Sequence, residues 1–186
     1  MPGRFDAIRE ELIDAARRVD GDRPARMRAV TDLLWDRLNH GPGDGPERGQ
    51  DNGPVSWIGF YEIAAEGNQH GAEPGAGMIL AAHRDSPACS PIGLHGVCGR
   101  SFTEAAPVVV GDVRTLGGGY VACDPRDLSE LVVPMFDDEG TPWGVLDADS
   151  FEVEAFTTDD AETLRLVAEA AGLSAPVASR RPIVTA

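Results

Sequence analysis

The chain contains no lysine: all 16 of its basic residues are arginine, set against 31 aspartates and glutamates. Without an ε-amine, Schiff-base catalysis and a phosphate-binding P-loop lysine are both excluded. The formal charge of -15 argues against nucleic acid or an anionic membrane as a partner, because both are held through basic surfaces. Long apolar runs are missing as well. No stretch approaches the ~18 residues of a transmembrane helix. Met1-Pro2-Gly3-Arg4-Phe5-Asp6 also lacks the basic-then-apolar pattern of a secretory leader, so a cytoplasmic location is expected. Cysteines are few and odd in number, Cys89, Cys98 and Cys123. A structural disulfide framework is not expected. No CxxC or HxxxH pairing links them to His83 or His95, so no metal site and no cofactor are expected either.

What is present reads as one α+β domain. Phe5, Ile8, Leu12, Ala15 and Val19 recur at helical spacing, which predicts an amphipathic helix of about four turns. Asp22 and Pro24 suit the start of a second helix, striped by Met27, Val30, Leu33, Leu34 and Leu38. Residues 41–54 hold five glycines and three prolines and form an insertion. A strand follows at 55–63, with Trp57, Gly59 and Tyr61 on one face and Ile58, Phe60 and Glu62 on the other. Gly59 between two aromatics leaves a hollow for a small ligand or another backbone, unless ordinary aromatic packing fills it. After a second glycine-rich loop, 64–77, Met78 to Ala82 completes a hairpin. An irregular stretch at 87–93 leads to a short helix around Arg100 to Ala105, then to a buried strand from Pro107 to Val110. Gly117-Gly118-Gly119 precedes Cys123 and gives that loop the freedom to swing its thiol. Thr157 to Asp160 is a capped helix start. The domain is expected to span 1–173, with helices over 3–40 and a disordered tail over 174–186. Its architecture is a three-layer α/β/α with a mainly antiparallel sheet of about six strands.

The most informative stretch runs from Cys123 through two strand-like segments, Leu131 to Phe136 and Thr141 to Asp149. Asp137-Asp138-Glu139-Gly140 between them is a hairpin signal. A four-residue loop would set Phe136 opposite Thr141, Val132 opposite Val145 and Glu130 opposite Asp147. Alternation then gathers Glu130, Asp147 and Asp149 on one face. Close carboxylates cannot all ionise freely, so this face needs a cation or a proton.

Six motifs together carry a family resemblance. They are Trp57-Ile-Gly-Phe-Tyr61, Pro87-Ala-Cys89, Gly96-Val-Cys98-Gly99, Ala122-Cys123-Asp124, Ser129-Glu-Leu-Val-Val-Pro134 and Gly144-Val-Leu-Asp-Ala-Asp-Ser150. In order and spacing the chain resembles the free methionine-(R)-sulfoxide reductases, stand-alone GAF-domain proteins, over roughly residues 55 to 172. The resemblance implies a GAF-like fold, reduction of free L-methionine (R)-sulfoxide, thioredoxin as reductant and a homodimer. It further implies Cys123 as the catalytic thiol, Cys89 as the resolving thiol and Cys98 as an auxiliary one. Glu130, Asp147 and Asp149 would bind substrate, and Trp57 and Tyr61 would wall its methyl group. The chain departs from the family in a Cys89-to-Cys98 interval one residue short and in two longer glycine-rich loops. The alternative reading is a sensory GAF module that binds a cyclic nucleotide or other small ligand without catalysis.

Overall fold

The computed structural model describes residues 5–40, 54–64, 77–84, 87–117, 123–176 and 182–186. Nearly all of both glycine-rich loops and the stretch from Gly118 to Ala122 lie outside these residues, so the expected swing of the Cys123 loop does too.

The first apolar stripe forms a 3-10 turn, Asp6–Ile8, and helix α1, Arg9–Ala16. It is shorter than four turns because the chain must reverse before the next helix, and Gly21 at φ +110° makes that reversal. Helix α2, Arg23–Asn39, starts where expected: the Asp22 carboxylate accepts the Ala25 N–H at 2.9 Å. Pro24 sits in its first turn, where a missing N–H costs nothing. Helix α3 spans Val97–Glu104 and helix α4 Thr158–Ala170. Thr157 and Asp160 close a reciprocal capping box on α4. The same Asp160 accepts the Phe5 N–H at 2.8 Å, which ties the N-terminal segment to that helix.

The strands are β1 Trp57–Ile63, β2 Gly77–Arg84, β3 Ile92–Gly93, β4 Val108–Val110, β5 Ser129–Phe136, β6 Pro142–Ser150 and β7 Val184–Thr185. They form one sheet in the order β3-β2-β1-β6-β5-β4-β7, antiparallel except between β4 and β7. One face carries Ile58, Phe60, Leu131, Val133, Leu146 and Ala148. It packs against α1, α2 and α4 through Leu12, Met27, Leu34 and Leu164. The other face carries Trp57, Tyr61, Val132 and Val145 and receives α3, through Val97 and Cys98, and the 3-10 turn Val113–Leu116, through Val113. Among the described residues, three α-helices on one side and one short α-helix on the other leave the second face partly open. That asymmetry positions the site.

Three expectations need correction, although the sheet is mainly antiparallel as expected, with seven strands. The seventh comes from the segment read as a disordered tail: Val184 N–H donates to Pro107 O at 2.9 Å and Ala186 N–H to Val109 O at 3.0 Å. Backbone pairing along the open β4 edge orders this piece, a signal that its composition does not carry. The short helix begins at Val97, not near Arg100. Gly96 leads into it, and Gly99 lies so close to the Leu94 backbone that any Cβ there would overlap it. The β5–β6 register is also displaced by two: Glu130 pairs with Asp149 and Val132 with Asp147. Thr141 belongs to the loop, where Asp137 Oδ1 accepts its N–H at 2.7 Å, and a bulge follows between Met135 and Phe136. Two added residues make an even shift, so every side chain keeps its face.

Candidate active site

The site is built on β6, the strand between β1 and β5. Side chains two residues apart share a face. Cross-strand pairing therefore sets Trp57, Asp149 and Glu130 in one row and Gly59, Asp147 and Val132 in the next. The Trp57 indole folds along its own strand over Gly59. It stacks on Tyr61, with centroids 5.8 Å apart at 25°, and on His83 at 6.1 Å and 10°. The hollow at Gly59 is thus filled by the indole: a Cβ there would stand 2.5 Å from Trp57 Cη2. Aromatic packing is the outcome, and the packed ring itself becomes a wall.

Helix α3 lowers Cys98 onto this surface. Its thiol donates to Asp147 Oδ2 at 3.1 Å. From the other side come Cys89, before β3, and Cys123, before β5. These two thiols lie at disulfide distance with Cα atoms 5.6 Å apart, inside the usual range for a disulfide. The shortened Cys89-to-Cys98 interval does not keep Cys89 from Cys123. The Tyr61 hydroxyl donates to the Cys89 carbonyl at 2.9 Å, so this ring holds the cysteine-bearing segment as well as walling the cavity.

Behind Cys123 the chain is pinned by polar contacts. Arg126 donates to both oxygens of Asp124 and lies over Phe151, and it holds the Asp124 carboxyl below the usual carboxylate range. Asp127 accepts from Ser56 Oγ at 2.8 Å. Leu128 N–H donates to Ser150 O at 2.8 Å, which returns the chain to the sheet.

These parts enclose a cavity of about 220 Å³ lined by Trp57, Tyr61, Cys89, Cys98, Cys123, Glu130, Asp147 and Asp149, together with Asp127 and the 91–97 segment. Every residue selected from the sequence as a site candidate lines it. Sequence reasoning missed Asp127, Ile92 and His95. The acidic spacing Asp124, Asp127, Glu130 hinted at the first; the other two arrive through tertiary packing alone.

Electrostatically the cavity is one-sided. Burial, then the neighbouring Asp149 charge, pushes the Asp147 carboxyl well above its ordinary range. Asp149 is pushed up by burial, then by Glu130 and Asp127. Asp127 is raised mainly by burial. The Cys98 thiol is raised by burial, then by Asp147 and Glu130. Asp147 Oδ1 and the Trp57 indole N–H are buried without a hydrogen-bond partner. A floor of this kind holds protons and attracts cations. Among the described residues, no helix is long and apolar enough to cross a membrane.

Comparison with known proteins bears on the family. The free methionine-R-sulfoxide reductase of Saccharomyces cerevisiae is 33% identical over 117 residues, covering 62% of this chain and 60% of that protein. The Escherichia coli protein of the same name is 31% identical over 118 residues, covering 62% and 64%. The chain thus spans less than two thirds of the length of either relative. Among solved structures, fRMsr of Staphylococcus aureus in complex with substrate superposes with a TM-score of 0.69 at 25% identity, covering 94% of this chain and 98% of that one. Free methionine-R-sulfoxide reductase from Neisseria meningitidis with its substrate gives 0.68 at 26% identity, covering 90% of each. The GAF domain model matches residues 48–174, the stretch that contains six of the seven strands and every cavity-lining side chain, and the chain therefore belongs to the GAF domain family.

Proposed function

We propose that the protein reduces free L-methionine (R)-sulfoxide to L-methionine through Cys123, with Cys89 as resolving thiol. The observation that carries this reading is the Cys89–Cys123 pair at disulfide distance on the rim of a cavity floored by sheet carboxylates. In the reduced protein the Cys123 thiolate attacks the sulfoxide sulfur. The sulfur–oxygen bond breaks, the substrate sulfur gains two electrons and methionine leaves, while Cys123 becomes a sulfenic acid. The Cys89 thiol then displaces that oxygen as water and closes the disulfide. An external dithiol opens it again by exchange, and thioredoxin fits this role.

A sulfoxide is a poor electrophile until its oxygen is protonated. A proton retained on Asp147 or Asp149, whose carboxyls burial pushes up, supplies that activation. The remaining negative charge, shared with Glu130 and Asp127, suits the substrate ammonium group. Trp57 and Tyr61 present an apolar face to the methyl group, and the unpartnered indole N–H is a donor for a substrate oxygen. Cys98, bonded to Asp147 beside this pair, is an auxiliary thiol for the disulfide exchange. A phosphate-bearing nucleotide is disfavoured, because the lining offers four carboxylates and no arginine among the described residues.

The test is an assay with separated R and S epimers of free methionine sulfoxide alongside a peptide-bound substrate. Consumption of the free R epimer alone is expected. Turnover of peptide-bound substrate, or of neither free epimer, refutes the reading.

A further inference from the structure

We propose that Cys98, Glu130 and Asp147 form a site for a thiophilic divalent cation of the zinc class on the cavity floor. One ligand atom from each of the three lies within 4.8 Å of the others. The residues are 7%, 5% and 6% exposed and stand on three separate elements, α3, β5 and β6. Helix packing and sheet pairing therefore assemble the set before any ion arrives. Asp147 supplies an independent sign of a missing partner: it lines the cavity, and its Oδ1 is buried without a hydrogen bond. Around the three ligands the same cavity holds Asp149 and Asp127, with no arginine among its described lining residues. Carboxyls buried and crowded in this way favour a bound proton or cation, and the three ligand atoms converge where that ion would sit.

The donor set selects the ion. Magnesium and calcium take all-oxygen shells of six or more ligands, whereas one sulfur and two carboxylate oxygens suit zinc. Zinc–sulfur and zinc–oxygen bonds of about 2.3 and 2.1 Å put tetrahedral ligand atoms about 3.6 Å apart. Small side-chain rotations bring the present set, in which Cys98 Sγ already lies 3.1 Å from Asp147 Oδ2, to that spacing. Binding displaces the Cys98 proton, now shared with Asp147, into the solvent. Three protein ligands leave the fourth position facing the cavity, so the ion exchanges with solution. A second consequence rests on the function proposed above: an ion here covers Glu130 and Asp147 and removes Cys98 from thiol exchange. It is then a reversible inhibitor that competes with substrate.

The experiment uses the oxidised full chain, in which Cys89 and Cys123 are paired and Cys98 is the one remaining thiol. Titration with cobalt(II) chloride is expected to saturate at one equivalent per chain. A near-ultraviolet thiolate-to-metal band should appear, be lost on adding zinc chloride and survive about a hundredfold excess of magnesium. Cys98→Ser removes the band. Glu130→Gln keeps the thiol and the side-chain volume, and weakens cobalt binding about tenfold or more. No band in the oxidised protein, an unchanged band in Cys98→Ser, or unaltered affinity in Glu130→Gln overturns the site. In the reductase assay zinc should raise KM and leave kcat unchanged. A protein that shows the band yet reduces no methionine sulfoxide keeps the metal site and refutes the proposed function.

Discussion

A single methyl group at position 59 probes both the architecture of the site and the origin of its apolar wall. In Gly59→Ala the new Cβ would stand 2.5 Å from Trp57 Cη2, 2.7 Å from the Ala82 carbonyl oxygen and 2.9 Å from His83 Cβ. Ordinary carbon contacts are about 3.5 to 4.0 Å. The Ala82 oxygen belongs to the backbone of β2, paired beside β1, and cannot withdraw unless the strands part. The indole can withdraw only by leaving its stack on Tyr61 and His83. Overpacking of this kind costs about 1 to 3 kcal/mol, offset by about 0.4 to 1 kcal/mol from the stiffer unfolded chain. A net loss of about 1 to 2 kcal/mol lowers Tm by about 2 to 8 °C in a chain of this length. A displaced indole also surrenders contact with the substrate methyl. KM should rise roughly fourfold, since a buried methylene-sized contact is worth ~0.8 kcal/mol. Thermal unfolding, near-ultraviolet circular dichroism and steady-state kinetics read the three effects. An unchanged Tm together with an unchanged aromatic signal would refute the packing of Trp57 over Gly59. Destabilisation with unaltered KM would refute its role as a wall.

Further outcomes are expected elsewhere. Cys123→Ser should abolish even a single turnover, whereas Cys89→Ser should release one equivalent of methionine and then stop; quenched-flow analysis of methionine release distinguishes them. Tyr61→Phe removes the hydroxyl bond to the Cys89 carbonyl, a loss of about 0.5 to 1.5 kcal/mol, and should slow disulfide closure more than the first turnover in the same experiment. Asp127 has its pKa raised in the folded protein by burial, so the folded state holds a proton that the unfolded state gives up. Its contribution to stability is complete below about pH 4 and is lost as pH rises through the folded value. Asp127→Asn should therefore flatten the fall of Tm with rising pH, as measured by thermal melts across that window. Deleting residues 182–186 removes the β7 pairing from the β4 edge, including the backbone hydrogen bonds of Val184 to Pro107, Ala186 to Val109 and Gly111 to Ala186. Each is worth about 0.5 to 1.5 kcal/mol, and the bared edge should raise self-association in sedimentation velocity.

Local chemistry written in consecutive residues determined a large share of this protein. The Asp22 and Thr157 caps, the period-two alternation of Trp57 to Tyr61 and of Val145 to Asp149, and the Asp137 turn each act over a few positions. The corresponding helices and strands are therefore legible in one dimension. The shared face of Glu130, Asp147 and Asp149 was legible for the same reason, and it survived a register displaced by two because the side-chain period of a strand is two. Tertiary structure alone decided the rest. Whether the Gly59 hollow stays open depends on which rotamer of Trp57 packs against Tyr61 and His83. Whether Val184 and Thr185 are ordered depends on an open edge at β4, some 75 residues earlier in the chain. That Cys89 meets Cys123 while Cys98 turns to Asp147 depends on where β3, α3 and the segment before β5 pack over the sheet. Contacts between distant segments have no periodic trace in the sequence, and the meeting of Cys89 with Cys123 is such a contact.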